Sequence, residues 1–222
     1  MLKNFKRVLL ASGAAGAALT IGMSSAYAAT WTVSAGSLTS GTTTYTAATP
    51  TGTSSAPAIK FVDTTDGVTL QCLKATANGS AALGSGLSGT PLATIAGSTF
   101  TTCTGPLGIS LTVTQSGTWN LNGSSYSGGV TQGYVSNVTA NISGTCSFSV
   151  TGAADGTYTN SNGTLDMSPV SGSGHTLKIS TPTGGKVCFN LISNGATATF
   201  STTAGDGYKV TTPTGNLVVT SP

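Results

Sequence analysis

Few side chains in this chain can move protons. His175 is the one histidine, Glu is absent, and the carboxylates are Asp63, Asp66, Asp155, Asp166 and Asp206. General acid and base catalysis needs His, or paired carboxylates whose surroundings push their pKa values apart. Asp66, Asp155 and Asp206 each precede Gly and read as turn residues, and His175 closes a Ser-Gly-Ser-Gly-His loop beside a strand. Ser is abundant enough to draw a Ser-His-Asp set on paper, but no G-x-S-x-G elbow is present to hold a nucleophile. The expectation is a protein that is not an enzyme, with no catalytic residue and no cofactor.

Other motifs meet the same test. Gly84, Gly86 and Gly89 match G-x-G-x-x-G, whose use in dinucleotide binding requires a helix to follow. Here Thr90-Pro91 follows, so a glycine-rich loop is expected instead. Asp63 and Asp66 could chelate calcium through two carboxylates, yet the segment lacks the ligand number of a calcium loop and a plain turn is the stronger expectation; no metal site is assigned. Trp31, Trp119 and Tyr126 could offer a ring to a sugar face, against the commoner fate of aromatics as core. Five N-x-[ST] matches, at Asn78, Asn122, Asn137, Asn141 and Asn162, are expected by chance in so hydroxyl-rich a chain.

The four cysteines, Cys72, Cys103, Cys146 and Cys188, are the most informative reactive groups. An even number in an exported chain reads as two disulfides, and with no C-x-x-C pair and one His a zinc site is a poor rival. Three pairings are possible; the favoured one joins chain neighbours, Cys72 with Cys103 and Cys146 with Cys188.

Export itself is read at the N-terminus. Lys3, Lys6 and Arg7 precede an uncharged run from Val8 to Met23, and Ala26-Tyr27-Ala28 then fits a signal cleavage site, so the mature chain is expected to begin at Ala29. Taking residues 1–28 from the 222 leaves 194, with five Lys against five Asp, no Arg and no Glu. The formal charge of +3 therefore belongs to the discarded segment. Five scattered Lys cannot form the clustered basic surface that nucleic-acid binding needs, so that class is excluded. No transmembrane helix is expected in the mature chain, and the setting is extracellular or the cell surface, reached by the Sec pathway.

The elements that would position these groups are strands. Leu70 and Cys72, Leu111 and Val113, Val138, Ala140 and Ile142, Phe148 and Val150, Leu177 and Ile179, and Leu217 and Val219 all alternate with polar residues. That period places one face on a core and the other in water, as in antiparallel sheets. Asx-Gly dipeptides at 66–67, 78–79, 122–123, 155–156, 162–163, 194–195 and 206–207 read as hairpin turns. The fold class expected is all-β, an antiparallel sandwich or barrel-like arrangement with two disulfides. A Thr/Ser/Gly-rich region at 29–57 reads as an edge strand or loose segment before a β-rich domain at 58–222, with a sub-boundary possible near 116–129.

Several stretches resemble a group of uncharacterised small secreted proteins of actinomycete bacteria: Trp31-Thr32-Val33, Ser85 to Thr90, Phe100 leading to Cys103 to Gly108, Trp119 with Leu121-Asn122, Gly129-Val130-Thr131, Ser143-Gly144 before Cys146, Tyr158-Thr159-Asn160, and Thr220-Ser221-Pro222. The resemblance implies a Gram-positive envelope or secreted setting and carries no activity and no site residues. The leading functional expectation is a secreted or cell-surface, non-catalytic β protein with a structural or binding role, its near-zero charge favouring self-association and a cell-wall or glycan ligand being possible. The alternatives are a pore-forming β protein of an outer envelope and a glycan-binding module or secreted inhibitor.

Overall fold

The computed structural model describes residues 30–203 and 206–222. The signal segment 1–28, with Ala26, Ala28 and Ala29 around its cleavage point, lies outside them.

Fourteen strands account for most of the described chain: β1 (Trp31–Ala35), β2 (Gly41–Ala48), β3 (Ile59–Asp63), β4 (Val68–Leu87), β5 (Ala93–Thr104), β6 (Ser110–Gln115), β7 (Trp119–Ser127), β8 (Val130–Gly144), β9 (Phe148–Thr159), β10 (Thr164–Met167), β11 (Leu177–Ser180), β12 (Thr197–Thr202), β13 (Tyr208–Thr211) and β14 (Leu217–Thr220). Every pairing is antiparallel. The alternation read from sequence is the alternation of burial: Leu70, Cys72, Leu111, Val138, Ala140, Ile142, Phe148, Val150, Leu177 and Ile179 all point inward. Each such aliphatic side chain contributes about 1.5–3 kcal/mol when fully buried.

The pairings close. Strands β4, β5, β8 and β9 are long, and shorter strands lie end to end along their edges. At one level the circuit runs β4–β5–β6–β8–β9–β11–β12–β3 and back to β4. At the other it runs β4–β5–β7–β8–β9–β10–β13–β2 and back to β4. Of the two architectures expected, this is a barrel, eight strands around at either level. Closure satisfies the backbone groups that an open edge would expose.

Strands β1 and β14 stand apart from both circuits as a two-stranded ribbon, joined to the barrel where β1 pairs with the end of β4. The ribbon is tied down at the far side by Asn160, whose Nδ2 donates to Val219 O (2.8 Å) and whose Oδ1 accepts from Val219 N (2.9 Å). The Tyr158 hydroxyl adds a bond to Leu217 O (2.8 Å).

Three expectations are corrected. Within the 29–57 region, β2 is no loose edge: it lies between β4 and β13, with Thr43, Tyr45 and Ala47 turned inward. Its alternation was hidden because two of its three inward residues are small or polar. No boundary falls at 116–129, since β7 is laddered to β5 and β8 across it. Asn78-Gly79, Asn122-Gly123 and Asp155-Gly156 lie inside strands and not at turns. Their glycines answer a need for space: a Cβ on Gly79 would stand 1.8 Å from Thr94 O, and one on Gly123 2.7 Å from the Trp31 ring. Register shifts at 78–79 and 123–125, and at Asn137 (φ 57°) in β8, give the long strands the bends that closure requires.

Candidate functional site

A barrel of eight strands is just wide enough for side chains to fill it or for one small ligand to fit. Here the inward residues are often small, among them Ala47, Ala77, Ala93, Ala140, Ala154 and Gly133, and a cavity of about 170 Å³ is left between them. Every strand except β1 contributes to its wall. The wall is overwhelmingly carbon and includes no Asp, Glu, His, Lys or Arg. Leu217 and Val219 line one part of it, so β14 of the ribbon is part of the wall.

Several polar atoms in this wall are already committed. The Tyr45 hydroxyl donates to Thr94 O (2.9 Å) and the Trp119 indole N–H to Thr139 O (3.2 Å). Burial pushes the Tyr158 phenol up to about 12, which keeps it a donor to Leu217 O at any pH the protein would meet. Thr131, on the inward face of β8, is different. It is 5 % exposed, and its Oγ1 is buried without a hydrogen-bond partner among the described residues. Nothing in the sequence distinguishes Thr131 from its many neighbours of the same type; only closure of the barrel places it on the cavity wall.

The residues with catalytic potential gather elsewhere. Asp155, expected at a turn, sits buried in β9 opposite Tyr134. Its Oδ1 meets His175 Nδ1 at 2.6 Å, and its Oδ2 accepts from Ser173 Oγ (2.7 Å) and Val170 N (3.0 Å). The imidazole stacks on Tyr134 with ring centroids 3.9 Å apart. Burial alone would raise the Asp155 carboxyl, but the bonds from His175, Val170 and Ser173, with the His175 charge, together hold it below the usual range. The Ser-His-Asp set drawn on paper thus exists in space with the wrong connections: the Ser173 hydroxyl is bound to the carboxylate and not to the imidazole. This arrangement pins the 168–176 connection onto the barrel wall.

The calcium candidates are likewise occupied with folding. Asp63, fully buried, uses Oδ1 to accept from Thr65 N (2.9 Å) and Asp66 N (3.0 Å), an Asx-type turn. The Asp66 carboxylate accepts from Ser193 N (2.8 Å) and Ser193 Oγ (3.0 Å) and faces Lys186, and these contacts, Ser193 first, hold it below the usual carboxylate range. The two carboxylates serve different partners and make no chelating pair. No cluster of three or more His, Cys, Asp or Glu able to hold a metal occurs among the described residues.

The disulfides are Cys72–Cys103, between facing residues of β4 and β5, and Cys146–Cys188, which ties the 181–195 loop to the β8–β9 connection. Trp31 and Trp119 are both buried, 2 % and 8 % exposed, so neither offers a ring to a glycan; Tyr126 is half-buried against the core. The Gly84–Gly89 motif ends β4 and leads into a connection where Gly89 makes room for the Trp31 indole, 2.5 Å from where a Cβ would stand. No helix among the described residues is long and apolar enough to cross a membrane. No family model, no curated protein and no solved structure matches this chain, so the barrel interior stands as the candidate site on its geometry.

Proposed function

We propose that this chain is an exported, non-catalytic binding protein that holds a small apolar molecule inside its barrel. The observation that carries this is the apolar cavity of about 170 Å³ inside the barrel, whose wall holds no charged side chain. A concave, mostly apolar space with few polar groups is the usual form of a small-molecule site, and a cavity of about 150 Å³ is known to accept benzene while staying dry. Two disulfides fit an oxidising, extracellular compartment.

Catalysis is a weaker alternative because the one His–Asp pair spends its hydrogen bonds on a loop and presents no free nucleophile. A pore is weaker too, for a reason of polarity. Membrane barrels turn an apolar band outward and a polar surface inward, whereas here Leu, Ile and Val face in and Thr, Ser and Lys face out, as in β11, where Leu177 and Ile179 are buried and Lys178 and Ser180 exposed.

The test is fractionation of the producing culture, mass analysis of the recovered protein, and extraction of the purified protein into organic solvent. Protein in the medium lacking residues 1–28, with a neutral lipophile co-extracted near one per chain, supports the proposal. Recovery only with detergent, together with stepwise conductance in planar bilayers, would replace it with the pore. A hydrolytic activity abolished by His175→Ala would replace it with an enzyme.

A further inference from the structure

Resting on the barrel interior being a ligand site, we infer that the ligand is a small, uncharged lipophile carrying one hydroxyl or carbonyl group, anchored by the Thr131 hydroxyl. Three observations lead there.

The first is size. About 170 Å³ lies close to the volume that takes a single benzene ring, so the occupant has on the order of six to ten carbons and not the length of a membrane lipid.

The second is charge. A buried ion needs a counter-charge or a dense set of hydrogen bonds, and the wall supplies neither a cationic nor an anionic side chain. Carboxylates, phosphates and amines are therefore poor occupants.

The third is the orphaned hydroxyl. Buried polar groups are almost always paired, and an unpaired one calls for an explanation such as a missing ligand. Among the described residues, Thr131 Oγ1 is the buried side-chain atom of the cavity wall left without a partner. It occupies the inward face of β8 between Tyr126 of β7 and Tyr158 of β9, its register neighbours. A water is the less suitable partner, since an internal water needs two to four polar contacts and the wall is mostly carbon. A ligand that brings its own single polar atom and fills the remainder with carbon satisfies Thr131 without stranding anything else. A hydroxyl can donate or accept, so an alcohol, a phenol or a carbonyl serves equally.

The experiment is a calorimetric titration of the disulfide-bonded protein with p-cresol, p-xylene and p-toluate, which share a shape and differ in the one substituent. It is run on the wild type, Thr131→Val and Thr131→Ser. Thr131→Val keeps the volume, and an unchanged thermal midpoint shows that it keeps the fold. The inference expects p-cresol and p-xylene to bind and p-toluate not to bind. Thr131→Val should weaken p-cresol about five- to tenfold and leave p-xylene within about twofold, with Thr131→Ser near wild type. Equal changes for p-cresol and p-xylene, or binding of p-toluate as tight as that of p-cresol, would overturn the anchored neutral ligand while leaving the interior as a site. Failure of both p-cresol and p-xylene to bind the wild type would remove the interior as a site altogether.

Discussion

Replacing the two disulfides one at a time should separate the two ways in which this barrel is held together. The bridges close loops of similar length, with sequence separations of 31 for Cys72–Cys103 and 42 for Cys146–Cys188. The loop-closure relation gives about 3.7 kcal/mol for the shorter and about 3.9 kcal/mol for the longer. By chain entropy alone the two are equal within error. What differs is the folded side. Cys72 and Cys103 are 5 % exposed, face one another in the β4–β5 ladder and line the cavity, so Cys72→Ala with Cys103→Ala also enlarges a space that is already incompletely filled. That adds about 1 kcal/mol, for a loss of about 5 kcal/mol in all. Cys188 belongs instead to the 181–195 loop, which has its own anchors in Asp66 with Ser193 and in Thr181 N donating to Asn194 Oδ1. Cys146→Ala with Cys188→Ala should cost about 4 kcal/mol globally and, in addition, lower hydrogen-exchange protection at Leu191 and Ile192 while leaving β8 and β9 protected. Urea unfolding with exchange measured residue by residue reads both quantities. A cost under about 1 kcal/mol for either pair would refute the loop-closure reasoning, and loss of protection in β8 and β9 without the Cys146–Cys188 bridge would refute the picture of a tethered loop on a self-sufficient barrel.

Other perturbations have defined outcomes. Asp155 has its folded pKa lowered, so the stability it contributes is present above the ordinary Asp value near 3.9 and is lost as pH falls through the folded value; acid unfolding followed by circular dichroism should shift to higher pH in wild type than in Asp155→Asn after allowance for their different stabilities at pH 7. Asp155→Ala should cost about 1–3 kcal/mol at neutral pH in urea. Asn160→Ala removes both bonds to Val219 and should expose the amides of Leu217–Thr220 to exchange, with a global cost of about 1–3 kcal/mol. Gly79→Ala places a methyl where Thr94 O and the Tyr45 hydroxyl lie, and a loss of about 2 kcal/mol or more in urea is expected.

The legible and illegible parts of this structure divide along a physical line. Alternation at Val138–Ile142 or Leu177–Ile179 is a local property, so each strand and its inward face could be read from the residues themselves. The bridge partners could be favoured because chain neighbours close short loops, and both pairs form as favoured. Closure could not be read. It depends on pairings such as β13 with β2, whose residues are more than 150 positions apart, as Thr211 and Thr46 are, and no local signal encodes a partner at that distance. Dipeptides misled for a related reason. Asp66-Gly67 and Asn162-Gly163 do turn, with Gly67 at φ 75° and Gly163 at φ 63°, but Asn78-Gly79 lies within β4 at a register shift, where its glycine admits Thr94 O and the Tyr45 hydroxyl from neighbouring strands. The chemistry of a glycine at a turn and at a close approach is the same in sequence and different in space. Asp155 and His175 were visible as rare ionisable groups; that they would meet at 2.6 Å required the 168–176 connection to fold back across β9. Thr131 carried no signal at all, being one hydroxyl residue among many until the barrel closed around it.

The most direct test of a ligand-holding interior is a methyl NMR titration of the disulfide-bonded protein with benzene. The account predicts saturable shifts at inward methyls spread around the barrel, such as those of Ile95, Val135 and Leu177, with the exposed methyls of Leu38 and Val218 unmoved. Shifts confined to exposed methyls, or none up to the solubility limit of benzene, would contradict it.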